Sequence, residues 1–224
     1  REPIYCEMRT ETGVIGHVGL PDGTMVTLNS GSMLRYPNEF TGDKRPVELI
    51  GEGFFDVKKD PEHPFTVTMS DGNSVQVYGT KFNVDAYPGE DCVTTLVEGS
   101  VGSSYTDKNG KQRETQLTHD QQTPRTTDGN VSIVGIKSTN ATAWKNAEII
   151  LDSTSLKQIL KTLERRFGVK FKVKNEKILN YTFSGGDISI RNLDYVLESL
   201  RISSGINWQY ITSTDDECAI IEIS

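Results

Sequence analysis

The chain has 224 residues, of which 35% are hydrophobic and 25% are charged, as expected for a folded protein with one large domain or two small ones. Its formal net charge of −7 argues against a nucleic-acid partner, because phosphate contacts need clustered Lys and Arg residues. No apolar run approaches the roughly 18 residues of a transmembrane helix, so we expect no direct membrane contact by this segment.

Residues 1–135 have the pattern of short β-strands joined by tight turns. Phe65, Val67 and Met69 alternate with polar residues, and Asp71-Gly72 then predicts a hairpin turn, because glycine accepts a positive φ angle. Close, regular strand spacing predicts a mainly β domain of stacked antiparallel sheets, sandwich-like in form. Further predicted strands are Val47–Ile50, Phe54–Val57, Gln76–Tyr78, Phe82–Ala86 and Thr94–Val97, and further turns are Asp22-Gly23, Asn109-Gly110 and Asp128-Gly129.

A second domain is indicated where the hydrophobic period changes from 2 to 3.6 residues. The stretch Thr115–Asn140 is polar, and the helical period begins after it. We therefore predict an all-β domain at 1–140 and a small α+β domain at 141–224.

The second domain contains an internal repeat. Four aliphatic residues at the spacing i, i+3, i+4, i+7 predict one face of an amphipathic helix, and the same pattern recurs 37 positions later. These residues are Leu156, Ile159, Leu160 and Leu163, then Leu193, Val196, Leu197 and Leu200. Ser155 and Asn192 are predicted N-caps, and Gly168 and Gly205 are predicted left-handed C-caps.

Alternating apolar residues after each helix, and an apolar run before it, complete two β-α-β units. The last predicted strand, which we treat as a possible exposed edge for a partner, comprises Cys218, Ala219, Ile220, Ile221, Glu222 and Ile223.

No set of residues has the spacing of a catalytic, cofactor-binding or metal-binding motif. The cysteines lack CxxC spacing, and the three histidines (His17, His63 and His119) are expected in exposed loops. Glu52 and Asp56 lie four positions apart on a strand, about 13 Å by the strand rise, which exceeds the separation of a glycosidase pair. We interpret them as a solvated face and predict that the chain is not an enzyme.

Five sequence strings follow one another in the first domain, and each has a turn or bulge beside apolar residues. They are LPDGTMVTLNSGSMLRYP at 20–37, RPVELIGEGFFDV at 45–57, HPFTV at 63–67, VYGTKFNVDAY at 77–87 and TTLVEGSVG at 94–102. This ordered set resembles the FecR family of membrane-anchored anti-sigma regulators. The repeated small domain resembles the secretin/TonB short N-terminal domain. Where family members often carry Gly after Trp-Lys-Asn, this chain has Ala147, which suggests that no positive φ is needed there.

The resemblance implies a periplasmic signal-relay function, controlled by the periplasmic signalling domain of a TonB-dependent outer-membrane transporter. It also implies an extracytoplasmic-function sigma factor, bound by a segment outside this chain, and an inner-membrane anchor upstream of Arg1. The small domain is the expected contact surface. The alternative is a glycan-binding or surface-assembly β module, suggested by the β-rich first half and by Tyr36, Tyr78 and Tyr105.

Overall fold

The computed structural model describes residues 3–106, 109, 111–125, 130–211 and 218–224. The chain divides into two compact units, Arg1–Thr142 and Ala143–Ser224. The second unit thus begins at residue 143, where the sequence pattern predicted 141. In the part of the chain that is described, no helix has the length and apolar character needed to cross a membrane.

The large unit is built almost entirely of strands, and a single helical turn, α1 (Ser138–Thr142), ends it. The strands described are β1 (Tyr5–Arg9), β2 (Gly16–Gly19), β3 (Met25–Leu28), β4 (Met33–Pro37), β5 (Arg45–Asp56), β6 (Phe65–Met69), β7 (Ser74–Val77), β8 (Lys81–Ala86), β9 (Cys92–Glu98), β10 (Val101–Thr106), β11 (Gln112–Leu117), β12 (Gln121–Arg125) and β13 (Val134–Gly135). The predicted turns at Asn109-Gly110 and Asp128-Gly129 include residues outside the described ranges.

The strand β5 organises the large unit. Two separately predicted strands, Val47–Ile50 and Phe54–Val57, belong to this one 12-residue strand, except that Val57 lies just after its end. Its first part pairs with β4 and, in parallel, with β6, whereas its second part pairs with β3 and β8. The partners change at Gly51, whose φ of 93° is readily adopted only by glycine. The sheet order is β11-β10-β7-β6-β5-β8-β9-β12-β13, with β4 and β1, and β3 and β2, branching from β5.

One apolar cluster, with residues from both parts of this curled sheet, forms the core of the large unit. Phe55 and Phe82 are fully buried, and their rings stack with centroids 5.1 Å apart. Burial of each such ring contributes about 2–3 kcal/mol. The predicted hairpin is confirmed: β6 and β7 are antiparallel, and Gly72 has a φ of 80° in the turn between them.

The small unit has two long helices, α2 (Leu156–Phe167) and α3 (Leu193–Ser204), which begin and end 37 positions apart as the repeat predicts. Ser155 and Asn192 cap their N-termini, and Gly168 and Gly205 end them with φ angles of 66° and 74°. The strands are β14 (Glu148–Leu151), β15 (Thr154–Ser155), β16 (Lys170–Val173), β17 (Thr182–Phe183), β18 (Gly186–Ser189), β19 (Trp208–Ile211) and β20 (Ile220–Ile223), and the 3₁₀ helices are Ala143–Asn146 and Glu176–Asn180.

The small unit forms two β-α-β segments, β14-α2-β16 and β18-α3-β19. Their first strands pair with each other, β15 pairs with β17, and the third sheet has the order β16-β20-β19. The fold class, a mainly β domain plus a small α+β domain, is thereby confirmed. The interpretation of Ala147 was wrong: its φ is 57°, so this chain adopts the left-handed conformation there without glycine.

Candidate partner interface

No group of His, Cys, Asp and Glu side chains among the described residues is arranged to hold a metal ion. His17 lies in the strand β2, not in a loop as expected, and contacts the Thr27 hydroxyl at 3.2 Å. Cys6, Cys92 and Cys218 are half-buried and form no disulfide with one another.

The Leu20–Thr24 motif is a tight turn held by the Asp22 side chain. The Asp22 carboxylate accepts hydrogen bonds from the Thr24 backbone N–H at 2.9 Å and from the Thr24 hydroxyl at 2.8 Å. The Gly23 N–H donates to the Leu20 carbonyl at 2.9 Å, and Gly23 has a φ of 87°. Asp-Gly is therefore required here by turn geometry.

The same carboxylate forms a buried ion pair with Arg45. The Arg45 Nη1 atom lies 2.6 Å from Asp22 Oδ2, and only 3% of the arginine side chain is exposed. Its guanidinium also donates to the backbone carbonyls of Lys58 at 2.9 Å and His63 at 2.8 Å. This contact joins the turn, the start of β5 and the segment between β5 and β6, so these motif residues stabilise the unit.

Glu52 is buried, so its interpretation as part of a solvated face was wrong, whereas Asp56 is exposed. The two carboxylate oxygens of Glu52 accept hydrogen bonds from the side-chain amides of Asn29 at 2.8 Å and Asn83 at 2.9 Å. Each of the three comes from a different family-like string. The string residues thus meet inside the large unit, where they satisfy one another's polar groups.

The three tyrosines of the saccharide alternative do not come together in either of two pockets formed by the described residues. An open pocket of about 380 Å³ is lined by the rings of Tyr5 and Phe40, by three prolines and by acidic side chains, but by none of those tyrosines. A second cavity, of about 10 Å³, has Tyr105 among its lining residues but neither Tyr36 nor Tyr78. No aromatic platform for a sugar ring is formed by Tyr36, Tyr78 and Tyr105 in these two pockets.

The predicted edge strand lies in the middle of its sheet. Ile220–Ile223, as β20, pairs in parallel with β16 and antiparallel with β19. Ala219 accepts a hydrogen bond from the Lys170 N–H at 2.9 Å, and the Cys218 thiol donates to the Gly168 carbonyl at 2.7 Å. The expectation of an exposed edge was therefore wrong for Ile220, Ile221, Glu222 and Ile223, which are paired on both sides, whereas Cys218 and Ala219 precede this strand.

The two real edges of this sheet differ. At β16 the outward Phe171 N–H already donates to the Glu164 carboxylate at 3.0 Å. At β19 the Asn207–Ser224 pair exchanges two hydrogen bonds, so the antiparallel pattern points the backbone groups of Trp208 and Tyr210 outward. No described strand pairs with that side of β19. The hydrogen bonds at the two edges of the folded sheet make this distinction, which the sequence pattern does not reveal.

Glu222 occupies the outer face of the same sheet, opposite the helices. Its carboxylate accepts hydrogen bonds from the Lys174 ammonium and from the Gln209 side-chain amide, the latter at 2.8 Å. The Lys174 hydrogen bond is the main cause that lowers the pKa of Glu222 below its usual value. The carboxylate is thus ionised and neutralised within the sheet face.

Comparison with known proteins assigns both units. Residues 7–102 match the family described as FecR protein, and residues 148–218 match the family described as FecR, C-terminal. Two crystal structures of a proposed anti-sigma factor from Parabacteroides distasonis ATCC 8503, at 1.65 and 2.50 Å resolution, are 28% identical in sequence with a TM-score of 0.84. The alignments cover 98% of this chain and 98% and 99% of those chains. No curated protein matches.

Proposed function

The chain belongs to the FecR family, and on that premise we propose that it is the periplasmic signal-relay part of a membrane-anchored anti-sigma factor. In this proposal the periplasmic signalling domain of a TonB-dependent transporter binds the chain. A segment outside these residues holds an extracytoplasmic-function sigma factor, which is released on signalling. The observation that carries the proposal is the match to both FecR families, in order, along a chain that aligns over 98% of its length with a proposed anti-sigma factor.

The organisation of the large unit supports a relay in preference to turnover chemistry. Its family-like strings supply buried contacts, such as those of Asp22 with Arg45 and of Glu52 with Asn29. A relay needs only a coupling free energy between two binding events, typically about 1–3 kcal/mol. A stable scaffold with a separate contact surface meets that need.

The contact surface in this proposal is the free side of β19. An extended segment of the transporter domain pairs with the outward backbone groups of Trp208 and Tyr210 and extends the sheet β16-β20-β19 by one strand. The Tyr210 hydroxyl donates to Asp194 at 2.7 Å, so this side chain is held against α3 and leaves the strand edge open.

Calorimetry with the intact chain and the periplasmic signalling domain of the transporter encoded beside it tests both parts. We expect saturable binding. Tyr210→Pro removes the outward N–H, which an edge strand tolerates, and should weaken binding at least tenfold. Tyr210→Ala removes the ring and hydroxyl but keeps the N–H, so it serves as the matched control and should bind within about threefold of the original chain.

Two results would contradict the proposal at different levels. No binding at hundreds of micromolar would refute the pairing with that transporter. Equal affinities of the proline and alanine variants, with both folded by circular dichroism, would leave the partner in place but exclude strand addition at β19.

A further inference from the structure

The small unit has an uneven charge distribution along its sequence. Residues 157–177 contain eight Lys and Arg residues and only two acidic ones, although the whole chain is acidic with a net charge of −7. Lys161, Arg165 and Arg166 on α2 have interactions within the chain, so they do not define a binding surface. The remaining cluster consists of Lys170 and Lys172 in β16 and of Lys174, which follows this strand.

Three of these lysines form a row on one sheet face. Lys170, Lys172 and Lys174 alternate with Phe171 and Val173, which pack against the apolar core of the small unit. The lysines therefore project from the opposite, outer face, and all three are exposed. Neighbours in the row are about 6–7 Å apart along the strand, so the row spans about 13 Å.

The row is only partly neutralised. Lys174 pairs with Glu222, whose carboxylate also attracts Lys172, whereas Lys170 forms no ion pair with any described residue. Beside Lys170 in the register lie Ile220 and then Ile211, both half-buried, so an apolar strip runs next to the cations. The outer face of the sheet is thus cationic along β16, apolar at Ile220 and Ile211, and polar at Glu222 and Gln209.

We propose that this outer face binds an acidic, extended segment of a partner protein, whose carboxylates pair with Lys170 and Lys172 while apolar side chains lie on Ile220 and Ile211. Charge complementarity selects this occupant. The row is only about 13 Å long, so it suits the few carboxylates of an extended segment, which alternate at the spacing of the lysines. A lipid bilayer or a nucleic acid would need a larger cluster of Lys and Arg residues than this row provides. The inference rests on the proposed function and adds a second contact for the same partner, on the outer face of the sheet beside the free edge of β19.

The test uses the intact chain and a labelled eight-residue peptide in which glutamate alternates with threonine. Fluorescence anisotropy should show binding in low salt that weakens at 0.5 M salt, as expected for exposed charges. The peptide with glutamine in place of glutamate should bind at least tenfold more weakly. Lys170→Glu with Lys172→Glu should also lose at least tenfold, and Lys170→Gln with Lys172→Gln should show a smaller loss in the same direction.

The control variant carries Lys157→Glu and Arg191→Glu, which change the net charge equally at exposed residues of the small unit outside the sheet β16-β20-β19. It should bind the peptide within threefold of the original chain. Equal losses in both charge-reversal variants, or equal binding of the glutamine peptide, would overturn the proposal. A third result would also overturn it: the chain does not bind the peptide, but it sediments with vesicles containing about 30% phosphatidylglycerol, and this sedimentation requires Lys170 and Lys172.

The transporter domain separates this inference from the proposed function. If the acidic peptide binds at the row but the transporter domain does not bind the chain, the surface stands and the proposed partner fails. If the transporter domain binds and the charge-reversed variant retains full affinity for it, the relay stands and the lysine row is not its contact.

Discussion

Replacing Gly51 with alanine tests whether the change of partners along β5 depends on glycine. Gly51 has a φ of 93°, and an added Cβ would lie 2.4 Å from Ser32 Oγ and 2.9 Å from Ser32 Cα. The positive φ alone costs an L-residue about 1–2 kcal/mol. Overpacking against the neighbouring backbone adds about 1–3 kcal/mol, so we expect a loss of about 2–5 kcal/mol.

Gly31→Ala is the matched control. Gly31 also has a positive φ, 66°, but an added Cβ there would meet nothing within 4 Å. We expect a loss of only about 1–2 kcal/mol, from the backbone conformation alone. The difference between the two variants therefore measures the close approach of β5 to Ser32.

Urea unfolding measures these losses in the correct unit. Both tryptophans, Trp144 and Trp208, lie in the small unit, so their emission reports on that unit, whereas far-ultraviolet circular dichroism follows the strands of both. Because each unit has its own apolar core, Gly51→Ala should shift the dichroism transition and leave the tryptophan transition in place. Stabilities of Gly51→Ala and Gly31→Ala within about 0.5 kcal/mol of each other would refute the steric reasoning.

Three further outcomes are expected. Arg45→Met should destabilise the large unit by about 3–5 kcal/mol by circular dichroism, because Asp22 loses its buried partner, whereas Arg35→Met at an exposed pair should cost less than about 1 kcal/mol; similar losses would contradict this. Glu222 has a lowered pKa in the folded state, so its contribution to stability is present above the ordinary glutamate pKa and is lost as pH falls through the lowered value. Tryptophan-monitored unfolding of Glu222→Gln should show a weaker dependence on acid pH, and an unchanged dependence would exclude this role. Ser153→Gly, at an exposed position with a φ of 55°, should stabilise the small unit by about 0.5–1 kcal/mol in the same assay; a loss of stability would disprove strain there.

Local patterns were sufficient wherever neighbouring residues decide the structure. The 37-residue repeat predicted both helices, because helical periodicity and glycine caps are encoded within a few residues of each other. The hairpin at Asp71-Gly72 was predictable for the same reason. Both glycine caps, Gly168 and Gly205, were also identified correctly.

Features that depend on distant residues were predicted wrongly. Alternation indicated a strand at Ile220–Ile223, but its place between β16 and β19 depends on strand order, which local periodicity does not encode. Glu52 looked like an exposed acid because its amide partners, Asn29 and Asn83, are 23 and 31 positions away in sequence. The asparagines in the neighbouring strings, which can donate to a buried carboxylate, were the signal that could have indicated burial.

The shared strand β5 has a mechanical consequence for the large unit. Because strands pair with β5 on both sides at 48–49 and 53–56, neither part of the curled sheet keeps its shape once β5 is pulled out. We expect that mechanical unfolding of this unit, for example by a protease that pulls on the chain, crosses one dominant energy barrier and not a series of small ones. Degradation of such a unit would be all-or-none, so each molecule would be either intact or completely degraded, without a stable partly unfolded fragment.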